Sequence, residues 1–423
     1  MSAPLWQPTA EQIERAQWTA FRRRAESRTG RDLSSPAALH RWSIDEPGAF
    51  WELVWSFADL RGDGPGPALD SRTARAMPGA RWFPEARLNF AENLLRQSGG
   101  EPALVYRVED RAEGSWSWDE LARAVAACAA FLRERGVRPG DRIAGWLPNG
   151  PHAIAAMLAS AAVGAVWTSC SPDFGAQGVL DRFGQIAPTV LFAADGYFYN
   201  GRAHDVLPRL AEVRAALPSL RETVVVPWVD PDPPLAPGVR RWDDALAAHT
   251  GAALAFARLP FDHPLYVLYS SGTTGAPKCI VHGAGGTLLQ HQKEHLLHVD
   301  LRAAERLFYF TTCGWMMWNW LASGLACGAT LLLYDGSPSH PEIATLFEWA
   351  ARERAAVFGT SAKFIDAVAK SGVSPRARCD LSPLRAILST GSPLAPEGFD
   401  FVYEHVAPHA QLASISGCEG EPS

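Results

Sequence analysis

The sequence predicts an α/β protein made of two αβ layers in series, each a parallel-type sheet covered by helices. Three observations carry this. Short apolar runs alternate with longer amphipathic ones from residue 103 to residue 389. A proline-rich stretch, 229–240, divides that alternation into two sets. At 423 residues, 47% hydrophobic and 20% charged, the chain has length and apolar content for more than one such layer.

Residues 1–100 read as a cap region of helices and loops, rich in Trp and Arg. Thr9 followed by Gln12 has the spacing of a capping box, ahead of an amphipathic helix through Ile13, Ala16 and Ala20. The first α/β subdomain is expected over 101–228. Its elements are a strand at 103–107, a helix at 118–132 stopped by Gly136, and a strand at 142–146. A helix at 153–163 then leads through Gly164 to strands at 165–169, 190–193 and 223–227. Residues 229–260 form the expected linker loop. The second subdomain, 261–423, reads as strands at 264–269, 306–310, 330–334, 356–359 and 384–389. Helices near 286–297, 320–326, 341–353 and 361–371 connect them.

Composition removes several classes of function. The net charge of -6 argues against nucleic acid as a partner, because such proteins carry a basic face for phosphates. Arg22-Arg23-Arg24 stands among acids on an expected helix and reads as a solvated face. The most apolar run, 153–167, is too short to span a bilayer, and residues 1–17 lack the apolar stretch of a secretory signal. The seven cysteines are scattered singly without a Cys-x-x-Cys pair, which fits a reducing compartment and offers no metal site. A soluble cytoplasmic protein is expected. The sixteen tryptophans are expected to fill core.

Chemistry concentrates in Tyr269-Ser-Ser-Gly-Thr-Thr-Gly-Ala-Pro-Lys278. The run follows an apolar strand, so it starts where α/β proteins place ligands. Gly272 and Gly275 let backbone N–H groups approach an anion closely, Ser270, Ser271, Thr273 and Thr274 add hydroxyl donors, and Lys278 adds a cation. The lysine follows Ala-Pro rather than glycine, so this is not the P-loop.

The run resembles the phosphate loop of adenylate-forming enzymes, the superfamily of acyl-CoA synthetases, luciferases and peptide-synthetase adenylation domains. Arg81-Trp-Phe-Pro84 and Leu88-Asn-Phe-Ala-Glu-Asn-Leu-Leu95 resemble the N-terminal region of its acetyl- and acetoacetyl-CoA branch. The segments 167–175, 310–320 and 334–338 resemble the acetoacetyl-CoA branch in particular. The resemblance reaches from the first residues to Gly417.

It implies the superfamily's N-terminal domain of two stacked αβ subdomains, and ATP-dependent activation of acetoacetate. Pyrophosphate leaves, and coenzyme A then takes the acyl group in exchange for AMP. ATP, Mg²⁺ and coenzyme A are the implied cosubstrates, with Lys278 catalytic and 270–275 binding phosphate. Gly391-Ser392-Pro393 resembles the turn against adenine, or is an ordinary Gly-Pro turn. Ser414-Ile415-Ser416-Gly417 resembles the block that finishes the nucleotide and acyl pockets, where glycine at 417 leaves room for an acid longer than acetate. Trp315 resembles the acyl-pocket wall, or is core packing. Arg182 resembles an arginine near the coenzyme A phosphates, or is a surface ion-pair arginine.

The last six residues, Cys418-Glu-Gly-Glu-Pro-Ser423, depart from the family pattern, in which an acidic metal partner follows the Ser-Ile-Ser-Gly block. The ribose-binding aspartate and the small C-terminal domain with its adenylation lysine are not in the sequence, and the chain alone is expected to form no acetoacetyl-CoA. Two other readings stand beside this one: a nucleotide-binding remnant without catalysis, and an adenylating enzyme for another short carboxylic acid.

Overall fold

The computed structural model describes residues 4–270 and 277–416. Two seven-stranded sheets organise them. Numbered in chain order, their strands are β1 Pro102–Val108, β2 Ala112–Ser117, β3 Arg142–Trp146, β4 Val166–Cys170 and β5 Val190–Ala194. Next come β6 Glu222–Val226, β7 Val239–Arg241, β8 Pro264–Ser270, β9 Lys278–Gly283 and β10 Arg306–Tyr309. The last four are β11 Thr330–Asp335, β12 Val357–Ser361, β13 Ala386–Thr390 and β14 Gln411–Ser414. One sheet runs β7-β6-β5-β3-β4-β8-β9 and the other β14-β13-β12-β10-β11-β1-β2.

Every pairing inside these sheets is parallel except the edge hairpins β8–β9 and β1–β2. The central strands are buried on both faces, as all of β5 and β11 show, and parallel strands under two helical layers read as continuous apolar runs for that reason. The helix Pro151–Val163 starts on proline, which has no N–H to waste, and stops at Gly164 with φ +83°. Twelve of its thirteen residues are buried, because it runs through the main core.

The strand pairing crosses the boundaries read from the sequence. β1 and β2 precede every strand of the first sheet yet lie on the second, with Leu104 beside Leu331. β8 and β9 follow the proline-rich stretch yet complete the first sheet, with Tyr266 beside Trp167. That stretch is no simple linker either, since β7 pairs with β6 at its end. Chain order does not record which sheet edge a strand takes. Residues before 100 are likewise no detached cap. The Asn89 amide donates to Ala161 O (2.9 Å) and Ala257 O (3.0 Å), and Phe21, Trp42 and Leu53 share one core cluster with Leu265 and Leu331.

Local signals fared better. The Thr9–Gln12 capping box is present, although its helix, Ala10–Arg15, ends at an extended Ala16 and leaves Ile13 exposed. A second helix, Gln17–Thr29, carries Ala20. Trp42, Trp146, Trp167, Trp318 and Trp349 are fully buried, as core filling requires. Among the described residues the cysteines are unpaired, and no helix is long and apolar enough to cross a membrane.

Candidate active site

The two sheets meet near the C-terminal ends of their strands. Asn149, just beyond β3, is the buried joint. Its backbone N–H donates to Asp335 Oδ1 at the end of β11 (2.9 Å), and its side-chain amide donates to Thr311 O and Tyr334 O (both 3.2 Å). Its Oδ1 accepts the indole N–H of Trp318 (3.0 Å). The Ser169 hydroxyl adds a bond to Cys313 O (2.7 Å). Burial pushes the Asp335 carboxyl up to about 7, and the Asn149 N–H only partly offsets that. Sequence reasoning missed Asn149: flanked by Pro148 and Gly150 it reads as a turn, and nothing local marks partners more than 160 residues away.

Ser270 and Lys278 face one another across the open end of the β8–β9 hairpin. The intervening Ser271, Gly272, Thr273, Thr274 and Gly275 lie outside the described residues, as does Gly417. Lys278 is exposed and makes no ion pair among the described residues. The hairpin is braced from the side by the helix Ala176–Ile186, whose Gln185 amide donates to Pro277 O (2.8 Å). On the same helix the Arg182 guanidinium sits over the rings of Phe174 (4.6 Å) and Tyr269 (5.8 Å) and donates to Gly178 O (2.8 Å). It is held against the hairpin strand by cation–π contacts and makes no ion pair among the described residues.

The other sheet brings the remaining predicted residues together. Gly391, with φ +88°, turns the chain out of β13 in a conformation that favours glycine, and Gly391, Ser392 and Pro393 are all exposed. Ile415 N–H donates to Ser389 O (2.8 Å), carrying the β14 pairing one residue further. The Ser414 hydroxyl accepts the N–H of Leu394 (3.4 Å). The 391–393 turn and the 414–416 block are therefore neighbours.

A cavity of about 270 Å³ opens beside them. Thr390, Ile415 and Ser416 form one side, and Met316, Met317 and Trp320 of the helix Met316–Ser323 form another. Trp315 precedes that helix and is 53% exposed, so it is not core packing. At the foot of the cavity stand Glu294, ion-paired with Lys293 (2.9 Å), and His298. Both belong to a π-helical turn, Glu294–His298, that sequence reading had taken as a regular helix.

One group of metal-ligand side chains occurs among the described residues: Glu109, Asp110 and His340. Glu109 is fully buried and accepts the N–H groups of Asn200 (2.7 Å), Gly201 (2.7 Å) and Ser337 (2.8 Å). Its oxygens already tie a hairpin to the turn after β11.

Comparison with known proteins agrees with this architecture. The AMP-binding enzyme family matches residues 90–417, and the acetyl-coenzyme A synthetase N-terminus matches residues 37–94. The acetoacetyl-coenzyme A synthetase of Rhizobium meliloti (strain 1021) is 56% identical over 418 residues, covering 98% of this chain and 64% of that protein. A malonamoyl-CoA synthetase of Penicillium aethiopicum is 39% identical over 442 residues, covering 98% of this chain and 61% of that protein. The solved structure of an acetoacetyl-CoA synthetase from Streptomyces lividans superposes with a TM-score of 0.93 at 47% identity, over 99% of this chain and 65% of that one. The chain thus spans less than two thirds of the length of these relatives. With the family model covering most of the chain and the fold in agreement, the chain belongs to the AMP-binding enzyme family.

Proposed function

We propose that the chain is the ATP- and acid-binding part of an acetoacetate–coenzyme A ligase acting in the cytoplasm. The observation that carries this reading is the 270 Å³ cavity, which gathers motifs read separately from the sequence around one small space. Thr390 leads into the Gly391 turn, Ile415 and Ser416 belong to the closing block, and Met316 follows Trp315. The relatives support the acid. Acetoacetyl and malonamoyl groups both carry a carbonyl on the third carbon.

In this reading Ser270 and Lys278, with the loop residues 271–275 between them, hold the phosphates of ATP. The turn Gly391-Ser392-Pro393 lies against adenine, and Ser414, Ile415 and Ser416 lead toward the acid with Gly417. The acid's carboxylate attacks the α-phosphorus, the bond to the bridging oxygen breaks, and pyrophosphate departs with the electron pair. Lys278 and the hydroxyl donors balance the charge that develops on the leaving group. Mg²⁺ would enter with ATP and neutralise its phosphates. The thiol of coenzyme A then adds to the acyl carbon and AMP leaves, with Arg182 on the side from which the coenzyme A phosphates approach. Trp315, exposed one residue before Met316, closes over the acid.

The test is calorimetric titration of the chain with acetoacetate in the presence of Mg²⁺ and α,β-methylene-ATP. Saturable binding is expected, with acetate weaker by about tenfold or more, since two further heavy groups are lost from the pocket. Absence of analogue binding, or acetate binding as tightly as acetoacetate, contradicts the proposal.

A further inference from the structure

Next to the acid-side cavity lies a small chamber of about 10 Å³, room for one water-sized atom, which shares His282, Thr287, Gln290 and His291 with a larger pocket of about 700 Å³. Its polar lining includes His282 of β9 with Thr287 and Gln290, and three residues from separate elements: Tyr266 from β8, His291 from the helix Ala284–Lys293, and Asn319 from the helix Met316–Ser323. All three side chains are at least nine-tenths buried, with exposures of 1%, 8% and 1%. Among the described residues, the Tyr266 hydroxyl, His291 Nδ1 and both polar atoms of the Asn319 amide have no hydrogen-bond partner. Buried polar groups are rarely left so, and one orphan costs more than a hydrogen bond returns. Four such atoms around one chamber describe a receptor.

The lining also defines what it would receive. Burial holds His291 neutral, with its pKa down at about 3, and keeps the Tyr266 phenol protonated. A phenol, a neutral imidazole and an amide suit an uncharged oxygen, whereas a carboxylate would enter without a compensating charge. Met316 lines both this chamber and the acid-side cavity. Its flexible thioether is the side chain the two spaces have in common.

We propose that the chamber receives the carbonyl oxygen on the third carbon of the acid, hydrogen-bonded by the Asn319 amide and the Tyr266 hydroxyl once the Met316 side chain turns aside. The inference rests on the acid-binding reading above and adds the groups that distinguish a 3-oxo acid from a plain one.

The probes are two esters of AMP, the 3-oxobutyl and the butyl, equal in chain length and differing by one carbonyl oxygen. Their affinities for the unaltered chain, for Tyr266→Phe and for Asn319→Leu are measured by calorimetry. The unaltered chain is expected to prefer the 3-oxobutyl ester by about 10- to 100-fold, because a site built to hydrogen-bond a group rejects the analogue lacking it. Each variant is expected to cut that preference by about tenfold while holding the butyl ester as well as before. Tyr266→Phe removes only an unpartnered hydroxyl, so folding is retained and the comparison stands even if Asn319→Leu folds poorly. Equal affinity of the unaltered chain for both esters, or a preference that survives Tyr266→Phe, overturns the inference and leaves a trapped water as the occupant. Binding of neither ester overturns the acid-binding reading itself.

Discussion

Alanine at position 278 is expected to weaken binding of ATP with Mg²⁺ by about 10- to 100-fold. The Lys278 ammonium stands at the open end of the β8–β9 hairpin, opposite Ser270, exposed and without an ion pair among the described residues. Its charge is therefore available to a phosphate. A hydrogen bond to a charged group contributes about 1.5–3 kcal/mol, which gives that range of affinity. Because the side chain packs against nothing buried, the stability of the fold should change by no more than about 0.5 kcal/mol. Titration calorimetry and urea unfolding on the same preparation separate the two effects. Unchanged ATP affinity would remove Lys278 from the phosphate site; a large loss of stability would mean that it supports the hairpin instead.

The second large effect is expected at Asn149, and it is one of stability. Leucine has the same number and branching of side-chain heavy atoms but strands three buried groups: the carbonyls of Thr311 and Tyr334 and the indole N–H of Trp318. Each stranded group costs about 1–3 kcal/mol, and a carbonyl with a second partner sits at the low end, so Asn149→Leu should destabilise by about 3–5 kcal/mol. Trp318 lies within the helix that carries Met316 and Met317, so ligand binding in the 270 Å³ cavity should weaken too. Equilibrium urea unfolding checks the first effect. A cost below about 1 kcal/mol would mean that the Asn149 side chain does not hold the two sheets together.

The contrast between these residues shows what could be read from the sequence. Lys278 was legible because glycines, hydroxyls and a cation are crowded into ten consecutive residues after an apolar strand, and a loop that wraps an anion is a local device. The Thr9 capping box and the Gly164 stop were legible for the same reason, since their partners lie within one helical turn or so. Strand positions followed from short apolar runs. Their assignment to sheets did not, because the hairpins β1–β2 and β8–β9 each complete the sheet formed mainly by the other half of the chain. Asn149, Asp335 and the group of Tyr266, His291 and Asn319 were illegible on the same ground. Each is an ordinary polar residue until the fold brings its partners together.

The burial of Trp318 and the exposure of Trp315 make the point within four residues. The sequence offers two similar aromatics, and Trp318 alone faces the joint, where Asn149 accepts its indole N–H. Trp315 stands just outside the helix, exposed, with no core to fill.

The most direct measurement is a crystal structure of the chain with the 3-oxobutyl ester of AMP. Adenine is expected against the turn Gly391-Ser392-Pro393, with the phosphate between that turn and the Ser270–Lys278 hairpin end. The 3-oxobutyl group is expected in the cavity walled by Met316, Trp320 and Ile415. An ester bound elsewhere, or lying in this crevice with its acyl chain turned away from that cavity, would contradict the account.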